Sequence, residues 1–139
     1  MTAPSVVLLI EDAAILLLDV ETALEEEGFE VISAINGAEG MAKFDRHKDD
    51  LKALVTDVSL GTGPTGWDVA RHVRTAVPTM PVIYMSGHGS DDWAAHGVPN
   101  SIMISKPFVM TQIITGLATL LNEGSSSLAP EDGRGQPNS

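Results

Sequence analysis

Four short apolar runs, each closed by a polar residue, constrain the fold of this chain more than any other feature. The closing residues are, in chain order, Glu11-Asp12, Asp57, Ser86 and Lys106-Pro107. Each run is short enough for a single strand, and amphipathic stretches with helical spacing lie between the runs. This alternation is typical of βα units that build a parallel sheet.

Five βα units are predicted from this pattern. The strands are expected at residues 6–10, 30–34, 51–56, 82–85 and 101–104, and the helices at residues 14–27, 38–46, 67–76, 90–96 and 108–121. Right-handed crossovers would arrange them as an α/β, flavodoxin-like doubly wound sheet, with strand order 2-1-3-4-5 and helices on both faces. Strands one and three are then neighbours, and ligands of such sheets bind at the carboxyl ends of the strands. Glu11, Asp12 and Asp57 should therefore lie side by side.

Length and composition indicate one folded domain. We predict that the domain covers residues 1–122 of the 139 and that residues 123–139 form a disordered tail, because this segment is rich in Gly, Ser, Pro and polar residues. No apolar run approaches the length of a membrane span, and no Lys or Arg precedes the first apolar run as in a secretory signal. Cysteine is absent, which fits a cytoplasmic protein.

The charge balance disfavours one class of partner. Eight Lys and Arg residues stand against 19 Asp and Glu residues, for a formal net charge of −11. Direct nucleic-acid binding depends on basic residues that neutralise phosphates. No basic patch is visible in the sequence, so we do not expect DNA or RNA as a direct partner.

The predicted cluster of carboxylates suits a divalent cation. Glu11, Asp12 and Asp57 would repel one another at close range and gain from a hard ion. Mg²⁺ prefers oxygen ligands and is commonly held by one or two carboxylates and a phosphate oxygen. Taken singly, Glu11 and Asp12 could instead cap the first helix, because acids suit helix N-termini, and Asp57 could be a surface acid.

The remaining polar residues suit phosphoryl transfer onto a carboxylate. Asp57 is the natural covalent acceptor, since carboxylates form aspartyl phosphates. Lys106 can pair with a phosphate oxygen as a point charge. The Ser86 hydroxyl and the Gly87 backbone N–H can donate hydrogen bonds to the other oxygens. Together these residues predict a phosphotransfer site.

Over residues 6–121 the sequence resembles the receiver domains of two-component response regulators. The matching motifs, in order, are Leu-Ile-Glu11-Asp12, Val-Thr-Asp57, Met-Ser86-Gly87 and Ser-Lys106-Pro107-Phe108. The resemblance implies that a sensor histidine kinase or a histidine phosphotransfer protein phosphorylates Asp57. It also implies that Asp12, Asp57 and the Ser59 carbonyl bind Mg²⁺, with Glu11 acting largely through water.

The resemblance further implies that Lys106 and Ser86 sense the phosphoryl group and that the Lys106–Pro107 peptide bond is often cis. The expected protein is a switch that signals through contacts with an unidentified downstream protein. It would not be an enzyme beyond gaining and losing its own phosphoryl group. A magnesium phosphohydrolase is a weaker alternative, because such enzymes commonly carry a second Asp where this chain has Ser59.

Two departures from the family pattern keep another class of function open. Met103 occupies the position that usually carries Tyr or Phe, and methionine is flexible and has no hydroxyl. The usual coupling of Ser86 to ring rotation is therefore not expected here. No output domain follows the predicted receiver, so we expect a stand-alone receiver. The alternative is a phosphorylation-independent scaffold or a phosphate sink.

The first predicted helix contains an unusual apolar run. Residues 15–18 are Ile-Leu-Leu-Leu, and four successive residues cannot all face one core. We expect Ile15 and Leu18 to be exposed beside the site. With Pro107 and Phe108 they would form a docking surface for kinase or phosphotransfer helices, or for a homodimer. Scattered surface apolarity, which is common, is the alternative interpretation.

Overall fold

Strands and helices alternate throughout the chain. The computed structural model describes residues 4–87 and 90–128. The strands are β1 (Val6–Ile10), β2 (Glu30–Ala34), β3 (Leu51–Asp57), β4 (Val82–Ser86) and β5 (Ser101–Ser105), and the helices are α1 (Ala14–Glu26), α2 (Gly37–His47), α3 (Gly66–Ala76), α4 (Ser90–His96) and α5 (Met110–Leu128). Among the described residues, no helix is both long and apolar enough to cross a bilayer.

The last helix is longer than the sequence pattern predicts. α5 ends at Leu128 instead of residue 121, and it therefore enters the segment that composition assigns to a disordered tail. Extending an existing helix adds one hydrogen bond for each residue fixed, without a new nucleation cost. Residues 129–139 of the predicted tail lie outside the described residues.

The five strands form one parallel sheet in the order β2-β1-β3-β4-β5. The predicted flavodoxin-like topology is confirmed. At the carboxyl edge, Ile10 of β1 lies opposite Ala34 of β2 and opposite Thr56 of β3. The residues that follow β1 and β3 therefore leave the sheet side by side.

Alternation along the strands separates two hydrophobic cores, one on each face of the sheet. In β1, Val7 and Leu9 belong to one core, and Leu8 and Ile10 belong to the other. The first core includes Val20 and Leu24 of α1 and Ile113 and Leu117 of α5. The second includes Phe44 of α2 and Val69, Ala70 and Val73 of α3. Helices cover both faces, as predicted.

Local signals fix the ends of several helices. Gly28 follows α1 with φ +94°, a conformation that glycine adopts without steric cost. The Asn36 side chain caps α2 by accepting a hydrogen bond from the Glu39 N–H at 2.8 Å. At the start of α3, Thr65 and Asp68 form a reciprocal capping box. The caps at Asn36 and Thr65 lie in the loops that follow β2 and β3, at the carboxyl edge of the sheet.

Candidate phosphoacceptor site

Asp57 lies at the carboxyl end of β3 and is 5% exposed. The Ser59 backbone N–H donates to its Oδ1 at 3.3 Å, and the buried Thr56 hydroxyl donates to its main-chain carbonyl at 2.9 Å. A Cβ atom at Gly66 would collide with that same carbonyl, so α3 begins directly against the end of β3. The backbone around Asp57 is therefore held closely from two sides.

The Lys106 ammonium connects two of the predicted site residues. Its Nζ donates to Asp57 Oδ2 at 2.7 Å and to Glu11 Oε1 at 3.2 Å. Lys106 follows β5, its backbone N–H donates to the Ser86 carbonyl at 2.8 Å, and its peptide bond to Pro107 is cis. Residues from the ends of β1, β3 and β5 thus meet at one point.

Glu11 is fully buried and has a second interaction. Its Oε2 accepts a hydrogen bond from the Ala13 backbone N–H at 3.0 Å, just before α1 begins. Glu11 therefore contacts the start of α1, as expected of a helix cap, and also belongs to the carboxylate pocket. One oxygen serves the start of α1 and the other faces Lys106.

The electrostatics of the pocket raise the pKa of Glu11 to about 7. Burial is the largest cause, because it disfavours the charged form, and the negative charge of Asp57 adds to it. The Ala13 N–H and the Lys106 ammonium oppose this shift. For Lys106, burial lowers the pKa, but the hydrogen bonds and charges of Asp57 and Glu11 outweigh it and raise the pKa overall.

The carboxylates of the pocket offer a donor set suited to a hard cation. Glu11, Asp12 and Asp57 each contribute an oxygen, and these oxygens lie within 4.8 Å of one another. Asp12 is exposed, while Glu11 and Asp57 are buried, so the cluster opens towards solvent on one side. Closely spaced carboxylate oxygens that remain accessible to water match the ligands that Mg²⁺ prefers.

The fold and the pocket agree with comparisons to known proteins. Residues 7–118 match the family model of the response regulator receiver domain. This chain belongs to the response regulator receiver domain family. The phosphoacceptor chemistry that the sequence predicts is that of this family, and the acidic pocket fits aspartate phosphorylation with Mg²⁺.

Individual relatives support the same assignment. The transcriptional regulatory protein TrcR of Mycobacterium tuberculosis is 30% identical over 132 residues, which cover 94% of this chain and 50% of the relative. A response regulator receiver protein from Sinorhizobium medicae is 41% identical, with a TM-score of 0.78, and the match covers 86% of this chain and 95% of that one. The receiver spans about half the length of the curated relatives it matches.

The two predicted switch residues lie on neighbouring strands of the receiver. Ser86 ends β4 and is 6% exposed, and Gly87 follows it at the surface. Met103 is partly buried on β5, opposite Tyr84 of β4. Tyr84 is fully buried, contacts the Trp67 ring at a centroid distance of 4.6 Å and accepts a hydrogen bond from the Val98 N–H at 3.1 Å.

The predicted docking residues lie in α1 and in the segment after β5. Ile15 is 79% exposed and Leu18 is 62% exposed, as expected from the apolar run in α1. An open depression of about 400 Å³ is lined by Leu16 of α1 and by Lys106, Pro107 and Phe108. Two of the predicted docking residues, Pro107 and Phe108, therefore line the same depression as the lysine that contacts Asp57.

The sequence interpretation did not single out two further exposed apolar residues. Ile35 is 55% exposed directly after β2, and Val109 is 62% exposed directly before α5. The sequence did contain a signal that places them near the site, because both lie in loops that follow predicted strands and such loops lie at the carboxyl edge of the sheet. Gly66 closes the glycine-rich loop after Asp57 and begins α3.

Proposed function

We propose that this receiver accepts a phosphoryl group on Asp57 and signals through altered contacts with other proteins. The observation that carries this proposal is the Lys106 ammonium, which lies 2.7 Å from Asp57 and 3.2 Å from Glu11, two members of a cluster of three carboxylates. A receiver fold used only as a scaffold would have no need to place a cation and three acids together. The arrangement therefore favours a phosphoacceptor over a phosphorylation-independent scaffold.

In the proposed transfer, an Asp57 carboxylate oxygen attacks the phosphorus atom of a phosphohistidine. An O–P bond forms, the P–N bond breaks, and its electron pair remains on the imidazole nitrogen, which takes up a proton. The Lys106 ammonium is placed to neutralise one phosphoryl oxygen, and the Ser86 hydroxyl and the Gly87 N–H donate to the others. Hydrolysis of the aspartyl phosphate returns Asp57 and inorganic phosphate.

The site would hold Mg²⁺ through Asp12, Asp57 and the Ser59 carbonyl, with Glu11 acting through water. The ion supplies charge neutralisation between the acids and the incoming phosphoryl group. Ser59 lies next to the Asp57 carboxylate, because its backbone N–H donates to Asp57 Oδ1 at 3.3 Å. Glu11 is oriented by Ala13 and Lys106, so its carboxylate is fixed before any ligand arrives.

Phosphorylation would be sensed at the ends of β4 and β5. Lys106 and Ser86 come from these two strands, and the Lys106 N–H already bonds the Ser86 carbonyl. Met103 has no aromatic ring, so it cannot act as the aromatic half of the usual switch. We propose that packing of Met103 beside Tyr84 replaces ring rotation in this receiver.

The proposed phosphodonor is a sensor histidine kinase or a histidine phosphotransfer protein, and the proposed output is a protein target. Formal net charge of −11 disfavours direct contact with nucleic acid. Catalysis is limited to uptake and loss of the receiver's own phosphoryl group.

Labelling with a small phosphodonor tests this proposal. The receiver is incubated with acetyl phosphate and Mg²⁺, and intact mass is measured for the addition of one phosphoryl group. Wild type should gain the group, Asp57→Asn should not, and omission of Mg²⁺ should suppress the reaction. Asp49→Asn, a change at an exposed acid away from the pocket, is the matched control and should be labelled like wild type. Absence of labelling in wild type, or equal labelling of Asp57→Asn, would reject Asp57 as the acceptor.

A further inference from the structure

β2 is a terminal strand of the sheet, and one of its sides pairs with no other strand of the described chain. The Ala34 carbonyl accepts a hydrogen bond from the Glu11 N–H, so the backbone groups of Ala34 face β1. Successive residues of a strand direct their N–H and C=O groups to opposite sides. The backbone groups of residues 31, 33 and 35 therefore point away from the sheet. We call these outward groups the β2 edge.

The sequence of the β2 edge favours pairing with a further strand. Residues 31–35 are Val-Ile-Ser-Ala-Ile, and β-branched residues of this kind are enriched in strands. Natural proteins prevent edge pairing with charged residues or proline in the edge strand, and residues 31–35 contain neither. Ile35 is also 55% exposed at the end of the edge. Protection of the β2 edge must therefore come from another element.

Two side chains of α2 bind the outward backbone groups of the β2 edge. Lys43 Nζ donates to the Ser33 carbonyl at 2.6 Å, and Glu39 Oε1 accepts from the Ile35 N–H at 2.7 Å. The two side chains also form an ion pair, with Lys43 Nζ 3.4 Å from Glu39 Oε2. The hydrogen bond from Ile35 is the largest cause that lowers the pKa of Glu39, so this carboxylate is ionised at neutral pH.

The ion pair occupies the position of one residue in an added strand. In a parallel pair, a residue of the incoming strand donates its N–H to one carbonyl and accepts at its own C=O from the N–H two residues further along. The Ser33 carbonyl and the Ile35 N–H are two such groups. Lys43 supplies the donor and Glu39 supplies the acceptor. An added strand would have to displace both side chains.

Helix capping explains only part of this arrangement. Glu39 is the third residue of α2, and a glutamate at this position commonly reaches back to the backbone at the helix start. The Asn36 side chain caps the same helix. Capping does not account for Lys43, which lies one turn later and bonds a carbonyl of the strand. The contact of Lys43 with Ser33 therefore has its effect on the β2 edge.

We propose that the Glu39–Lys43 pair prevents the β2 edge from pairing with β2 of a second copy of this chain. Two β2 edges related by a two-fold axis run antiparallel, and each offers the same outward groups to the other. Pairing centred on Ser33 of both copies would use the carbonyl that Lys43 binds and the Ile35 N–H that Glu39 binds. The proposal goes beyond the phosphoacceptor function and involves no residue of its pocket.

Sedimentation velocity over a series of protein concentrations tests the proposal. Glu39→Ala with Lys43→Ala frees one donor and one acceptor on each copy, and should raise the self-association constant at least about tenfold over wild type. Lys43→Met alone frees the Ser33 carbonyl and retains the Asn36 cap, and should raise the constant by a smaller factor. Circular dichroism and urea unfolding establish that each variant is folded.

Two control variants separate hydrogen bonding from charge. Glu39→Gln with Lys43→Arg keeps a side-chain acceptor and a side-chain donor, and should sediment like wild type. Lys48→Ala with Asp49→Ala removes one charge of each sign at exposed positions outside the β2 edge, and should also sediment like wild type. Association in the Lys48→Ala, Asp49→Ala variant equal to that of Glu39→Ala with Lys43→Ala would contradict the proposal.

A proline then locates the contact. Ser33→Pro, added to Glu39→Ala with Lys43→Ala, removes the outward N–H at the middle of the β2 edge without removing a hydrogen bond to β1. This triple variant should return to the wild-type association constant. Without the proline, the Ser33 N–H and the Val31 N–H should exchange with solvent more slowly as the protein concentration rises, because both would bond the second copy.

Two results would overturn the proposal. The first is a folded Glu39→Ala, Lys43→Ala variant that associates no more than wild type. The second is association that persists after Ser33→Pro, which would assign the contact to another surface. If the double variant does not fold, Lys43→Met decides the question, because its helix cap is retained. The assay needs no phosphoryl group, so its result is independent of whether Asp57 is the phosphoacceptor.

Discussion

Replacement of Lys106 by methionine gives the sharpest test of the pocket electrostatics. Methionine keeps an unbranched side chain but removes the ammonium that contacts Asp57 at 2.7 Å and Glu11 at 3.2 Å. The side chains of Asp57 and Glu11 are 7% and 1% exposed, so water does little to replace the lost cation. In the metal-free variant, two buried carboxylates would face each other without their ammonium partner.

The size of the effect follows from burial and distance. At an effective dielectric of about 20, two unit charges separated by 4.8 Å, the largest spacing in the acidic cluster, repel by about 3.5 kcal/mol. Breaking a buried ion pair by removing one partner costs roughly 3–5 kcal/mol. The Lys106 side chain is 26% exposed, which weakens its interactions through solvent screening. We therefore expect Lys106→Met to lower the free energy of unfolding by about 2–3 kcal/mol at pH 8 without metal.

The cost should depend on pH because Glu11 can escape the repulsion by binding a proton. Its pKa is about 7 in the folded protein against 4.5 for the free side chain. The folded state therefore binds more protons in this window, and the free energy of unfolding falls as pH rises from 4.5 to 7. Loss of Lys106 raises the pKa of Glu11 further. The free energy of unfolding of the variant should therefore continue to fall as the pH rises above 7. At pH 5.5 Glu11 is already protonated, so the cost of the substitution should shrink to about 1 kcal/mol.

Urea unfolding in EDTA at pH 5.5 and pH 8 measures both quantities. Lys52→Met, which removes an exposed lysine from β3, is the control and should cost little at either pH. Equal stability of Lys106→Met and wild type at pH 8 would refute the reasoning. A cost that is the same at both pH values would show that Glu11 does not carry the charge that we assign to it.

Three further changes test separate parts of the structure. Saturating Mg²⁺ should stabilise wild type by about 2.7 kcal/mol at 100 times the dissociation constant, and Asp12→Asn should reduce this gain in thermal unfolding titrations. Gly66→Ala should destabilise by about 3 kcal/mol, because its Cβ would collide with the backbone at the end of β3, whereas Gly87→Ala has free space and should be tolerated in urea unfolding. Tyr84→Phe leaves the buried Val98 N–H without its 3.1 Å acceptor and should cost about 1–2 kcal/mol, measured by the same unfolding method; no change would contradict that role for the hydroxyl.

Strand positions and the gathering of polar residues could be read from the sequence because few topologies satisfy the pattern. Parallel strands joined by helices place their carboxyl ends at one edge, so Glu11, Asp57 and Lys106 had to lie near that edge once the strands were identified. The exposure of Ile15 and Leu18 followed from helical geometry in the same way. These predictions used only local periodicity and the handedness of crossovers.

Contacts between side chains that are far apart in the sequence could not be predicted in this way. The sequence suggested capping of α1 and participation in the pocket as alternatives for Glu11, whereas its two oxygens serve both Ala13 and Lys106. The packing of Tyr84 against Trp67 was not foreseen, because it joins β4 to α3 through side-chain shape. The length of α5 was underestimated, since composition does not report how far an established helix continues.

The sequence alone determined which residues are available for phosphoryl transfer and that they follow the carboxyl ends of strands, because the positions of strands and helices and the alternation of side chains are local consequences of chain chemistry. Tertiary structure decided the charge states. Burial raises the pKa of Glu11 to about 7. The ammonium of Lys106 contacts both Glu11 and Asp57 because β1, β3 and β5 all end at the carboxyl edge of the sheet. Desolvation and distance are properties of the packed molecule, so no pattern of residues along the chain specifies them.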